Sequence, residues 1–378
     1  MNAIRGFLVL GLLVELLYTT TASAQVRTAI AYKYANIVYP GALLTLPNAI
    51  NNANTIVGSY FDAASNEHGF VFHAGKFSRI DFPGATATEA MGLNDLGDIV
   101  GVYQLPGPLN FHGFVRHNGA FTTLDDPAAT FGTRSLGINT QGTIVGSYDD
   151  AHGFIYEHGT YRTYDAPQTP GETSNTQLNS INNLGWIAGQ VFTTGIWRGF
   201  WVKGDDLDFL EAAGANDSEA LAVNGHGDVV GCHDTNSGFI SLGAERSGEA
   251  ENAEVFPPQQ QLASCATGIN YARAVVGIYF TAKRPYGFVG VPALSLAVNG
   301  PADHSSQRNP VRITATASGN SRISQIQVWL SYKQILHVNG ATLNKSVNLP
   351  LGSNQRLVIQ AVDSHGVTAK LVENVTIY

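Results

Sequence analysis

The sequence predicts an all-β protein: a six-bladed β-propeller of four-stranded blades, followed by an Ig-like β-sandwich. Three observations predict it. One phrase recurs six times, with its Asn at 51, 94, 139, 182, 224 and 270, in steps of 43, 45, 43, 42 and 46 residues. The apolar runs within each copy are short, β-branched or aromatic, and bounded by Gly, Asn and Pro. The chain also opens with a spare copy of the phrase's last segment, and its sixth copy lacks one. A helical array has a comparable period, but its apolar residues would fall three and four apart.

Residues 1–24 read as a secretory leader. Arg5 supplies the positive end, Gly6 to Leu17 the apolar stretch, and Ala22-Ser23-Ala24 the small-residue cleavage site. The mature chain is expected to begin near Gln25 without a transmembrane segment, because a bilayer span needs about 20 apolar residues. Next comes the segment from Tyr34 to Ala42, which matches the stretch from Phe77 to Ala85 at the end of the first repeat. The last repeat stops after Gly287-Phe288-Val289. An open array would expose two unpaired edges, so the N-terminal strand is expected to complete the last blade.

Residues 25–292 form the propeller in this reading, and each repeat divides into strands A to D. Strand A runs into the repeated Asn. A tight Asn–Gly turn follows, in which Asn bonds its own downstream backbone and Gly takes positive φ. Strand B carries Ile56-Val57-Gly58 and its five counterparts, each with the Gly. A Gly at a fixed place in a strand marks a bulge or a close backbone approach. Strand C carries Gly69-Phe70 and its counterparts, and strand D ends in turns such as Asp81-Phe82-Pro83-Gly84. Strands B and C are apolar on both faces, as sheets sandwiched between sheets require. The stretch from Gly243 to Gln261, rich in Glu, Gln and Pro, is expected to be a solvated loop of the fifth repeat.

Residues 293–378 change pattern. Val311, Ile313 and Ala315 alternate with Arg312, Thr314 and Thr316, and about seven short strands over this segment imply a small sandwich.

Two resemblances follow from these residues. His68-Gly69-Phe70, His112-Gly113-Phe114 and His152-Gly153-Phe154 resemble the extracellular HAF-type repeat of bacterial proteins. Arg198, Ser237 and Tyr286 depart from it in the later copies. The resemblance covers about residues 30–292; it implies a secreted repeat protein and brings no catalytic residues with it. The C-terminal run from Leu349 to Gly366 is similar to bacterial Ig-like modules in architecture, without their antibody-type Cys and Trp pattern.

Charge and chemistry narrow the function. Residues 25–292 hold 13 Lys and Arg against 25 Asp and Glu, and residues 293–378 hold 7 against 3. So acidic a propeller argues against nucleic acid as a partner. Cys232 and Cys265 fall on adjacent blades, which leaves open a disulfide or two buried thiols. The repeated His residues lie one per blade, so they spread round the ring; neither a metal nor any other cofactor is expected. No Gly-x-Ser-x-Gly, His-Glu-x-x-His, phosphate-loop or EF-hand pattern occurs, and no catalytic residue is assigned.

Variable loops on a rigid scaffold are where binding usually lives, and the six B–C loops share one face. Strand B ends in Tyr60, Tyr103, Tyr148, Val191, His233 and Tyr279, and Phe111, Trp197 and Pro285 precede strand C. Departures gather at Trp197, Arg198, His233 and Asp234. The candidate ligand-binding set is therefore Tyr60, Tyr103, Phe111, Tyr148, Trp197, Arg198, His233, Asp234 and Tyr279. The tyrosines have a second reading as structural groups, each hydroxyl satisfying a neighbouring blade. The expected function is a secreted or periplasmic, monomeric, non-enzymatic binder of a polysaccharide or an extracellular protein. The alternative is a propeller hydrolase or lyase acting on extracellular carbohydrate.

Overall fold

The computed structural model describes residues 27–107, 111–167, 175–193, 195–210, 217–233, 237–241, 252–255, 263–301 and 303–378. The segment expected to be a leader, Asp234 and most of the Glu- and Gln-rich stretch lie outside them. The fold is all-β, a β-propeller of four-stranded antiparallel sheets. The first sheet is Leu44–Ile50, Ile56–Phe61, Glu67–His73 and Lys76–Ile80, joined in sequence order. Sheets of the same order occupy 87–124, 133–164, 175–209 and 218–255. Within the stretch expected to be a loop, Asn252–Val255 is the outer strand of the fifth sheet, paired with Gly238 to Ser241.

The last repeat contributes Ala263–Ile269, Val275–Phe280 and Pro285–Asn299, and the N-terminal strand Arg27–Ile37 pairs along the outside of the third. Ile37 lies opposite Gly287, the place that Ile80 holds opposite Gly69. The spare N-terminal segment thus supplies the missing outer strand.

The repeated residues make the sheets pack. Phe70, Phe114, Phe154, Phe200, Phe239 and Phe288 are buried between sheets. The strand B Gly sits where the carbonyl oxygen of strand A comes closest: a Cβ on Gly58 would lie 2.0 Å from the Leu46 oxygen and 2.9 Å from the Phe70 ring. No side chain larger than hydrogen fits between that oxygen and that ring, which explains the recurrence.

Strand Pro285–Asn299 does not stop at residue 292. Its far half pairs with Val311–Gly319 on one side and with Arg27 to Ala31 on the other. This sheet, completed by Thr342–Val347, faces a second one made of Ser306–Gln307, Thr368–Ile377, Gly352–Asp363, Ile323–Leu330 and Lys333–Asn339. Leu294, Leu296, Ile313, Ile326, Val328 and Ile359 fill the space between them. The boundary expected at 292/293 therefore falls inside a strand, and both parts share two strands. The register shifts between Ala31 and Tyr32, where the N-terminal strand passes from one part to the other. Deep in the second part, the Arg27 guanidinium pairs with the Glu373 carboxylate.

Candidate functional site

The two ends of the propeller axis differ in kind. At the A–B end each repeated Asn does two things. Its side-chain oxygen accepts N–H bonds from its own turn, as Asn51 does from Ala53 and Thr55 at 3.1 and 2.9 Å. Its amide nitrogen donates to the backbone oxygen of the next repeated Asn. The series runs Asn51 to Asn94, Asn94 to Asn139, Asn139 to Asn182, Asn182 to Asn224 and Asn224 to Asn270, then back from Asn270 to Asn51. Donor–acceptor distances span 2.8 to 3.4 Å. These amides are buried and spent on each other, so this ring is structural.

Strand A also bulges in every repeat, three residues before the Asn. Asn48, Met91, Leu136, Asn179, Leu221 and Thr267 are the extra residues, and all line an axial cavity of 430 Å³. Next to each is a small residue, because the strands meet backbone to backbone: a Cβ on Gly137 would lie 2.8 Å from the Ser180 Cα.

The B–C end is different. Five residues before the Asn stand Leu46, Glu89, Arg134, Gln177, Glu219 and Cys265, no two neighbours alike. Across from them on strand B are Ser59, Val102, Ser147, Gln190, Cys232 and Ile278. Three residues of this variable set are charged: Glu89, Arg134 and Glu219. Burial, reinforced by the Glu67 carboxylate, pushes Glu89 up to about 7 against the pull of the Arg134 guanidinium. Burial also raises Glu67, although the Ser59 hydroxyl donates to it at 2.9 Å, and burial raises Glu219. Arg134 donates to Asp150 at 2.9 Å and lies over the Phe111 ring at 3.8 Å.

The sequence-expected binding residues divide by exposure. Tyr60, Tyr103, Tyr148 and Tyr279 are at most 7% exposed. Three have hydroxyl partners in their own sheet: Tyr103 with Thr123 at 2.8 Å, Tyr148 with Thr163 at 3.1 Å and Tyr279 with Asn36 at 3.0 Å. Tyr60 instead stacks on Tyr39, which precedes its sheet, with ring centroids 3.6 Å apart. For Tyr103, Tyr148 and Tyr279 the expectation of hydroxyls reaching a neighbouring blade is corrected, because strand D of the same sheet is nearer. The repeated His residues belong to the same units. His68, His112 and His152 pair through Nδ1 with Asp81, Asp125 and Asp165, and each ring lies 5.0 to 5.3 Å from the tyrosine of its sheet.

Phe111 and Trp197 are half-buried at the mouths of their loops. Phe131, 45% exposed, meets Phe111 edge-on at 5.9 Å, and Phe192, 36% exposed, meets Trp197 at 5.2 Å. Sequence reasoning missed Phe131 and Phe192. Arg198 lies over Phe209 at 4.1 Å, and the half-buried His233 lies over Phe239 at 6.1 Å. Asp149 holds the Phe131 turn: its carboxylate accepts the backbone N–H groups of Thr130, Phe131 and Gly132 at 2.6 to 3.1 Å. Burial would raise that carboxyl, but these bonds prevail and hold it at about 2. Cys232 and Cys265 are bridged, with Cα atoms 4.8 Å apart, tying the fifth sheet to the sixth at this end. Among the described residues no cluster of three His, Cys, Asp or Glu is placed to hold a metal.

No family model matches the chain, and no curated protein matches it. Among solved structures it is similar to one described as YCF48 bound to D1 peptide. That likeness has 8% identity over 69% of this chain and 94% of the other, with a TM-score of 0.39. It is also similar to a post-proline cleaving enzyme from Rickettsia typhi, with 9% identity over 87% of this chain and 57% of that one, and a TM-score of 0.35. Neither likeness is close enough to bear on activity; the propeller assignment rests on the strand pairing.

Proposed function

We propose that the chain is a secreted, non-enzymatic binding protein. Its propeller, of the HAF-repeat type and closed with six blades, presents the B–C face to an extracellular polysaccharide, and an Ig-like sandwich serves for attachment. The closure is supported by the Asn series, which returns from Asn270 to Asn51. Secretion is supported by the leader and by the disulfide, which persists in oxidising compartments.

One observation carries the choice of face. At the A–B end the six repeated Asn side chains are spent on each other and on their own turns. At the B–C end the polar groups vary, and partly exposed aromatic pairs stand beside them. Aromatic faces stack on the apolar faces of sugar rings, while nearby polar groups bond the hydroxyls. The test is a screen of residues 25–378 against extracellular polysaccharides, alongside Trp197→Ala. Binding that falls at least tenfold in the variant supports the reading. A flat screen, or binding unchanged in the variant, overturns it and leaves a protein partner to be sought by cross-linking in the producing cell's envelope.

A second reading, a carbohydrate hydrolase, is favoured by the proximity of Glu67 and Glu89. A carboxyl with a pKa near 7 beside a second carboxylate suits general acid catalysis. Reducing-end release from a bound polysaccharide, abolished in Glu89→Gln, would favour it; bound but intact polysaccharide removes it.

A further inference from the structure

The axial cavity at the A–B end is not used by the B–C reading. It measures 430 Å³, within the ordinary range for small-molecule sites. Among the described residues its wall has no Lys, Arg or His and one carboxylate, Asp95, which is already hydrogen-bonded. Asn52 donates to both Asp95 oxygens, from its backbone N–H at 2.9 Å and its amide at 2.8 Å. An anionic ligand would find no countercharge there.

An apolar ligand is equally ill-suited. The hydrogen-bond series places Asn48 and Asn179 three steps apart in a circuit of six, on opposite walls. Asn48 spends its amide nitrogen on the Ala90 oxygen at 3.0 Å, and Asn179 spends its own on the Ala220 oxygen at 2.9 Å. Among the described residues nothing donates to either side-chain oxygen. Both side-chain oxygens remain solvent-accessible acceptors on residues that line the cavity, and a ligand without donors would leave both unpaired. At the mouth stands Tyr271, 55% exposed, braced by the His226 ring at 3.9 Å. Leu184, 64% exposed, also lines the cavity. It continues with Ile181 and Asn183 into a groove of 680 Å³ between the third and fourth sheets.

We propose that this cavity is a second ligand site, taking the uncharged, hydroxyl-rich end of a sugar chain between Asn48 and Asn179. The terminal ring lies against Tyr271 and the following units run past Leu184 into the groove. The sugar hydroxyls donate to the two asparagine oxygens, and the open Tyr271 face covers the apolar side of the ring.

The site is independent of the B–C face, and the test separates them. Ligand-observed saturation-transfer NMR is recorded with neutral monosaccharides and short neutral oligosaccharides, with glucuronate as the charged comparison. Asn48→Leu and Tyr271→Ala are examined beside Trp197→Ala, since exposed Tyr271 can change without disturbing the core. The expected result is saturation of a neutral sugar that falls at least tenfold in both Asn48→Leu and Tyr271→Ala, persists in Trp197→Ala, and is absent for glucuronate. No saturation by any neutral sugar, equal saturation of glucuronate, or a signal that survives Tyr271→Ala would overturn the proposal. Loss only in Trp197→Ala would overturn it while leaving the B–C reading intact.

Discussion

Asn270 donates its side-chain amide to the backbone oxygen of Asn51 at 3.1 Å, joining residues 219 apart in sequence. The same amide reaches Asn54 Oδ1 at 3.0 Å, and the Asn270 side-chain oxygen accepts from Ala274 N–H at 2.9 Å. This is where the last repeat meets the first. Asn270→Ala is expected to cost on the order of 2–4 kcal/mol, because several buried polar groups lose partners together. Asn270→Asp keeps the acceptor for Ala274 but turns an acceptor toward the Asn51 oxygen, so it should fare no better than Ala. Urea denaturation checks both; an Asp variant as stable as wild type would show that the circuit contributes nothing.

The second closure is ionic. Arg27 and Glu373, 6% and 1% exposed at their side chains, join the N-terminal strand to the last strand of the chain. Arg27 also donates to the Pro301 oxygen at 2.5 Å. Removing one partner strands a buried charge, so Arg27→Ala or Glu373→Ala should cost about 3–5 kcal/mol. Replacing both, as Arg27→Met with Glu373→Leu, should recover most of that loss. Equilibrium unfolding of the singles and the double distinguishes these outcomes; a double as unstable as the singles would refute the account.

The disulfide spans 33 residues of chain. In the chain-entropy account, closing such a loop contributes roughly 3–4 kcal/mol. The double variant Cys232→Ser with Cys265→Ser should lower the unfolding midpoint accordingly without changing the m-value in proportion. Reduced wild type should match it. A midpoint unmoved by reduction would remove the bridge from the stability of the fifth and sixth sheets.

Much of this architecture was legible because it repeats. The Gly of strand B and the Phe of strand C recur since one oxygen, one ring and no Cβ fit between the sheets. The N-terminal strand was legible as a spare outer segment. The reach of the Asn amide into the next sheet was not, because a turn Asn is already explained locally by its side-chain oxygen. One available signal was overlooked: Thr45, Thr88, Thr133, Thr176, Ser218 and Ser264 all stand six residues before the Asn. The first four accept the backbone N–H of the preceding turn, as Thr88 does from Phe82 at 3.0 Å. The candidate site was least legible, since the position that holds Glu89, Arg134 and Glu219 does not repeat from one strand to the next and only strand register brings them to one end. The shared strand Pro285–Asn299 was hidden too, because a domain boundary is expected in an exposed linker.

The pH response of Glu89 tests the electrostatics of that end. Its carboxyl is raised from an ordinary 4.5 to about 7 by burial first and the Glu67 carboxylate second. Between those pH values the folded chain holds a proton that the unfolded chain has released. Stability is therefore fully present below about pH 4.5 and falls as pH rises through 7, by roughly 3 kcal/mol for this group. Glu89→Gln keeps the shape and cannot ionise. It should match wild type at pH 4 and exceed it at pH 8, with the difference opening across that window. Thermal unfolding at several pH values checks this. A constant difference from pH 4 to pH 8 would mean that Glu89 ionises as freely folded as unfolded. The B–C end would then hold an ordinary solvated carboxylate, and the hydrolase reading would lose its acid.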